Sequence, residues 1–451
     1  MGRIFGTDGA KGVAITELTC ELAMNIGRAA TVVMTRKVGK KPRIFVGKDT
    51  RISSDIIEAA LCAGICSVGA DAVLLGVLPI AAVASFIKDK EADGGFMITA
   101  SHNNIEYNGI KLLGANGNKL PDETEEEIER LVLDEPGRVA LASRLAVGRI
   151  IHSQDAFRQE YEQFLEGCIK TDLGGIKVAI DCANGNASEI AEKLFNKLGA
   201  ETVMAFNTPD GTNINQECGS MHMSQLMELV VKEKCDCGIA FDGDADRCLA
   251  VDENGELVDG DKIIAIIAKS YKERGLLKRD SLVITIMANI GFSNFAAENG
   301  ITVIKSGVGE RNVLEKMLDG GYNIGGQQNG HIIFLDDAVT ADGMLTAARL
   351  LEILASSGKK MSELANIMTK YPQVMTDVKI LPKFKEIWKN DSEITSLIEK
   401  YDEELGISGR ILVRESTVDA AIKIMAEGKD FKNINVMAMT LADKIHERTN
   451  R

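Results

Sequence analysis

A strand-helix rhythm that recurs three times constrains this chain more than any other feature. The first run is RIFVGKD, IIEAALCAGICSVG, DAVLLG, IAAVASFIKDK and GGFMITAS, in which short β-branched segments alternate with amphipathic ones. Short β-branched runs alternating with amphipathic segments predict a parallel sheet covered by helices. KVAIDCANG, SEIAEKLFNKLG, ETVMAFN, SQLMELVVKEK and CGIAFDGDAD repeat the pattern. DKIIAIIAKSYKERG, SLVITIMANIG, FSNFAAENG, ITVIKSG and NVLEKMLDGG form a third unit. The remainder differs: a charged helix in EITSLIEKYDEEL, strands in GRILVRES and AAIKIMAEG, and a last helix in LADKIHERT predict a small α+β domain. The predicted fold class is therefore α/β, three tandem α/β domains followed by a C-terminal α+β domain. Polar stretches near Gln154, Asn254 to Gly260 and Lys370 to Pro372 place the domains at 1–154, 155–255, 256–370 and 371–451.

Charge and cysteine content exclude several function classes. The 451 residues carry a formal net charge of -14, which repels nucleic acid and anionic membranes. No stretch approaches the roughly 18 uninterrupted apolar residues of a membrane helix. Nine scattered cysteines, in a chain opening MGRIFGTDG without an apolar leader, read as reduced thiols of a soluble cytoplasmic protein. Cys235 and Cys237 form C-x-C with no second pair at zinc-ribbon spacing, and read as strand residues.

Two segments carry chemistry. GIAFDGDADRCLAVDENG sets Asp242, Asp244 and Asp246 at i, i+2 and i+4 between two apolar runs, so three carboxylates can converge on one hard cation such as Mg²⁺. Glu253 completes the acid spacing of a calcium EF-hand, but the turn position that needs glycine is Arg247 and the flanks are strand-like. A solvated acidic turn is the plainer alternative, against which stands the mutual repulsion of three packed acids. In GGFMITASHNNIEYNGIKLLG, Ser101 follows an apolar strand, where ligands bind in α/β sheets. A serine there also serves as a helix cap or turn residue, and His102 as a structural histidine.

Together and in this order, the two segments resemble the α-D-phosphohexomutase family. The resemblance includes F-G-T-D-G-A-K-G at the start, G-K-D-T-R-I-S at 47–53, T-A-S-H-N at 99–103, D-G-D-A-D-R at 242–247, V-G-E-R at 308–311 and G-G-Q-Q-N-G-H at 325–331. The opening motif is most similar to the phosphoglucosamine mutase branch. The resemblance implies a heart-shaped molecule of four domains around a central cleft. It implies a phosphoserine at Ser101, one Mg²⁺ held by that residue with Asp242, Asp244 and Asp246, and catalytic roles for His102, Lys111, Arg247 and Lys11. The sugar loop would use Gln327, Asn329 and His331, and the phosphate loop Arg414, Ser416 and Lys423. The implied reaction interconverts glucosamine 6-phosphate and glucosamine 1-phosphate through a sugar 1,6-bisphosphate, which also acts as activator, and feeds UDP-N-acetylglucosamine and cell-wall precursor synthesis. A small phosphosugar would be the partner, and the chain a monomer or homodimer.

The sequence departs from the family at four places. The phosphate loop R-x-S-G-T-E-P here reads Arg414-Glu415-Ser416-Thr417-Val418-Asp419-Ala420, with Lys423 in place of a later arginine. A β-branched residue where glycine stood disfavours positive φ, and lysine offers a point charge in place of a planar fork. The sugar loop G-E-x-S-G-H has Gln327 in place of its acid, which keeps an acceptor but loses the charge. Lys11 and Asn104 replace the usual arginine and proline. The reading alternative to a mutase of this or another hexose specificity is a catalytically weakened relative that binds and regulates.

Overall fold

The computed structural model describes residues 2–6, 9–381, 384, 387–416 and 420–449. Four sheets follow one another along the chain. The first comprises β1 (Phe5–Gly6), β2 (Gly9–Val13), β3 (Arg43–Lys48), β4 (Asp71–Val77), β5 (Gly94–Ile98), β6 (Tyr107–Leu113) and β7 (Ile150–His152), in the order β1-β2-β6-β5-β3-β4-β7. Its central strands β3, β4 and β5 run parallel, and β5 is buried at every residue. That burial explains why GGFMI is apolar without alternation: helices cover both faces.

The second sheet contains β8 (Lys177–Asp181), β9 (Glu201–Ala205), β10 (Cys237–Phe241), β11 (Cys248–Asp252) and β12 (Leu257–Val258), ordered β12-β11-β10-β8-β9. Strands β10 and β11 pair antiparallel with Phe241 opposite Cys248, so residues 242–247 form the loop of a hairpin. The third sheet contains β13 (Ser281–Thr285), β14 (Thr302–Ser306), β15 (Ile324–Gly326) and β16 (Ile332–Phe334), ordered β14-β13-β15-β16. The fourth is antiparallel, β17 (Gln373–Lys379), β19 (Ala421–Glu427) and β18 (Arg410–Glu415), with helix Phe431–Thr449 packed on it. The predicted three α/β units and the α+β tail are thus present.

The internal contacts divide the molecule into two compact bodies. One comprises residues 1–286 and 304–366; the other comprises 287–303 and 367–451. Helix Ile290–Glu298, expected with the third α/β unit from its sequence rhythm, groups with the C-terminal body. The reason is polar: Glu427 of β19 accepts from the Ile290 amide at 3.0 Å, and Arg410 of β18 donates to the Ala288 carbonyl at 2.5 Å. Asn289 donates to the Tyr371 carbonyl and accepts from its amide at 2.9 and 3.0 Å.

Cys237 opens β10 as expected, whereas Cys235 precedes the strand. The helix before it ends with Lys234 in the left-handed conformation at φ 53°, and Cys235 lies in the connection that follows. Both are buried, and all nine cysteines are free thiols. Among the described residues no helix is long and apolar enough to cross a membrane.

Candidate active site

The hairpin loop 242–247 brings three carboxylates into the interior of the larger body. Asp242, Asp244 and Asp246 are 1%, 0% and 5% exposed, and one oxygen from each lies within 4.8 Å of the others. The loop closes on itself: the Arg247 amide donates to Asp242 Oδ1 at 3.1 Å, and Ala245 turns through φ 56°. Burial, together with the charges of Asp246 and Asp244, holds the Asp242 carboxyl well above the usual carboxylate range, and burial with the Asp244 charge raises Asp246 likewise. A divalent cation would offset both causes, and three hard oxygen donors suit Mg²⁺. Asp246 Oδ1 accepts no hydrogen bond among the described residues, which is consistent with a donor reserved for an ion.

Ser101 faces this cluster. It lies in the turn between β5 and β6 and is 3% exposed, with its Oγ donating to Asp242 Oδ2 at 2.9 Å. His102 Nδ1 stands 3.3 Å from the Ser101 Oγ. Burial and the positive charges of Arg247 and Lys11 push the His102 pKa down to about 4, so its ring is neutral near pH 7. Ser101 itself has φ 50°, a left-handed conformation uncommon for residues with a side chain.

Cations surround the acids. Lys111, opposite Met97 in the β5-β6 pairing, donates to Asp244 at 2.9 Å and lies 3.9 Å from Asp246. Arg247 Nε is 3.8 Å from Asp242 and 3.9 Å from Asp246. Lys11, on β2 opposite Gly109, is exposed. His331 is tied to the metal loop by a backbone bridge to Arg247, and its Nε2 is 3.8 Å from Asp246. Burial disfavours its charged form, yet Glu310, 3.3 Å away, and Asp246 outweigh that and raise its pKa. Reciprocally, burial would raise Glu310, but Lys119 and His331 hold it well below the carboxylate range.

The sugar-loop residues are part of the same body. Gln327 donates its amide to the His331 carbonyl at 3.0 Å, and Asn329 Oδ1 accepts from the His331 amide at 3.3 Å. Gly330 has φ 89°, and a Cβ there would stand 2.4 Å from the Cys248 carbonyl oxygen, so the loop reaches the metal hairpin only with glycine. Gln327 is half-buried and Asn329 exposed.

The three phosphate-loop residues belong to the smaller body. Arg414 lies one residue before the end of β18 and donates to the Glu415 carbonyl at 3.2 Å; Ser416 is buried, its amide bonded to the Ala421 carbonyl at 2.8 Å. Lys423 on β19 pairs with Asp377 on β17 at 2.9 Å. Thr417, Val418 and Asp419, the heart of the altered motif, lie outside the described residues, as do Thr7 and Asp8 of the opening motif.

Sequence reasoning missed Arg51, Asn215 and Glu310. Arg51 falls in the quoted G-K-D-T-R-I-S and Glu310 in V-G-E-R, but no role was read for either. Asn215 sits in N-I-N-Q-E, which carries no signal.

Family profiles match most of the chain: phosphoglucomutase/phosphomannomutase alpha/beta/alpha domain I over residues 2–137, domain II over 159–255 and domain III over 259–371. The phosphoglucosamine mutase of Caldicellulosiruptor bescii is 48% identical over 450 residues, 99% of this chain and 100% of that one. That of Clostridium acetobutylicum is also 48% identical over 450 residues, covering 100% of both. A crystal structure of a phosphoglucomutase/phosphomannomutase family protein from Burkholderia thailandensis shares the fold, with TM-score 0.84 and 24% identity over 98% of this chain and 97% of that one. So does Aspergillus fumigatus N-acetylphosphoglucosamine mutase, solved with GlcNAc-6P and magnesium, with TM-score 0.70 and 17% identity over 99% and 96%.

Proposed function

We propose that this chain, which belongs to the phosphoglucomutase/phosphomannomutase family, is an isomerase that interconverts glucosamine 6-phosphate and glucosamine 1-phosphate. The name shared by full-length relatives supports the substrate. The observation that carries the chemistry is the 2.9 Å hydrogen bond from Ser101 Oγ to a carboxylate of a buried triad.

In this reading Ser101 carries a phosphoryl group, and a sugar hydroxyl displaces it in line. The phosphorus-oxygen bond to Ser101 breaks as the bond to the sugar forms, and the proton given up by the sugar hydroxyl ends on the departing Ser101 oxygen. The resulting 1,6-bisphosphate turns around and the Ser101 hydroxyl takes the other phosphoryl group back. In that return step the hydroxyl proton faces Asp242 Oδ2 and, at 3.3 Å, the neutral His102 ring. Lys111 and Arg247 supply fixed positive charge beside the phosphoryl position without reorganisation. Asp242, Asp244 and Asp246 with Ser101 would hold one Mg²⁺, which when bound neutralises charge on phosphoryl oxygens.

Gln327, Asn329 and His331 would contact the sugar, and Arg414, Ser416 and Lys423 its distal phosphate; Lys11 would add charge at the rim. The domains would lie at 1–154, 155–255, 256–370 and 371–451. A cytoplasmic monomer or homodimer, activated by sugar 1,6-bisphosphate and supplying amino-sugar nucleotide synthesis, completes the reading; it requires neither nucleic acid nor membrane.

The test is conversion of glucosamine 6-phosphate to glucosamine 1-phosphate with Mg²⁺ and a priming bisphosphate, run beside Ser101→Ala. Turnover that disappears in the variant is expected. Absence of turnover in the wild type on glucosamine, glucose and mannose phosphates would replace the mutase by a binding role.

A further inference from the structure

The Ser101 turn is held from beneath by two residues on different domains of the larger body. Arg51 is a fully buried arginine, 1% exposed. Its Nε pairs with Asp49 Oδ2 at 2.9 Å, which in turn accepts the Ser54 hydroxyl and the Arg51 amide through Oδ1. Its remaining nitrogens donate to backbone carbonyls of the turn: Nη2 to Ser101 at 3.2 Å and Asn103 at 2.6 Å, Nη1 to Tyr107 at 3.0 Å and to Asn104. A guanidinium presents its donors in a rigid plane, so four carbonyls are fixed relative to one another.

Asn215 approaches the same turn from the second sheet's side. Its Nδ2 donates to the Ser101 carbonyl at 2.8 Å and the Asn103 carbonyl at 3.0 Å. Asn215 is 4% exposed with φ 56°, held there by its amide on the Ala183 carbonyl at 2.9 Å. Each of the two carbonyls thus receives one hydrogen bond from Arg51 and one from Asn215. The metal loop presses on this junction. A Cβ at Gly243 would meet the Ser101 carbonyl oxygen at 2.6 Å and Asn215 Nδ2 at 2.9 Å.

We propose that Arg51 and Asn215 are positioning residues for phosphoryl transfer at Ser101, Arg51 shaping the turn and Asn215 locking it in register with the carboxylate loop. The proposal rests on the mutase reading above. Its physical basis is that Ser101 occupies an uncommon backbone conformation, which persists only where the surroundings impose it. Displacing the nucleophile by about 1 Å costs catalysis on the order of a hundredfold.

Asn215 is the residue to vary, because Ser101 and Asn103 keep their Arg51 hydrogen bonds without it, whereas removing Arg51 takes the charge partner from buried Asp49 and a hydrogen bond from each of four carbonyls. Asn215→Ala and Asn215→Asp, which preserves shape but not the donor, are both expected to lower kcat about tenfold to a hundredfold. KM should stay within about twofold, and transfer of phosphate from a sugar bisphosphate to Ser101, followed by intact mass, should slow equally. Gly243→Ala, made separately, should give the same kinetic pattern. Hydrogen exchange of the 101–107 amides should accelerate in both Asn215 variants, a readout that needs no turnover. Wild-type kcat with unchanged exchange in this segment overturns the proposal. Faster exchange in the variants of a chain that turns over no phosphosugar keeps the clamp and removes the mutase; unchanged exchange in such a chain removes both.

Discussion

Lys111→Met tests how the carboxylate triad is balanced. The substitution keeps the aliphatic stem, which is buried with the rest of the side chain, and removes only the charge. At the 2.9 Å separation from Asp244, the Coulomb attraction in an effective dielectric of about 20 is roughly 6 kcal/mol, an upper bound. Breaking a buried ion pair from one side costs on the order of 3–5 kcal/mol, because the remaining charge stays buried. Arg247 is nearly an ångström farther from its acids, at 3.8 and 3.9 Å, and cannot replace the missing contact. In chelator the variant should therefore lose about 3–5 kcal/mol relative to wild type. A divalent ion restores positive charge to the acids and binds only the folded state, adding about 2.7 kcal/mol at a hundredfold excess over its Kd. The variant, with one competing cation fewer, should gain more from Mg²⁺ than the wild type does. Scanning calorimetry with EDTA and with millimolar Mg²⁺ measures both effects on whichever transition Mg²⁺ moves in the wild type. Equal stability in EDTA, or an equal Mg²⁺ gain in the two proteins, would refute the electrostatic account. Turnover should fall in the variant whatever the ion concentration, since in the proposed mechanism Lys111 also supplies charge to the phosphoryl group.

Two further outcomes are expected. Asp342 caps helix Gly343–Ser357 through the Leu345 amide and accepts the Tyr161 hydroxyl, and burial pushes its pKa up to about 6 from 3.8. A raised folded-state carboxyl stabilises fully below its unfolded pKa and loses that contribution as pH rises through about 6. Asp342→Asn, which cannot ionise, should thus gain on wild type by on the order of 3 kcal/mol between pH 4 and 7 in urea unfolding; a flat difference would contradict the shift. Separately, Thr417→Gly with Val418→Thr should raise kcat or lower KM for the sugar phosphate, while no change would mean that the distal phosphate is held elsewhere.

What the sequence revealed depended on whether a contact is local. The strand-helix rhythm was legible because it reports which side chains share a face, and that needs only neighbours in the chain. The acid triad was legible for the same reason: residues 242, 244 and 246 converge within one hairpin loop whose flanking apolar runs announce its strands. Helix Ile290–Glu298 shows the limit. Its rhythm assigns it to the preceding α/β unit, but its partners Glu427 and Tyr371 are 137 and 82 residues away from the residues they bind, and they decide its body. Arg51 shows the limit more sharply. An arginine in a polar run reads as surface, since burying its charge is costly unless every donor is met. The donors are met here by carbonyls about 50 residues on, on a turn whose shape the arginine itself imposes, and one of those carbonyls, that of Ser101, also accepts from Asn215, 114 residues beyond it. A side chain and the loop it fills define each other only after both have folded. That circularity kept the support of Ser101 out of the sequence, while Ser101 itself stood visible at the end of its strand.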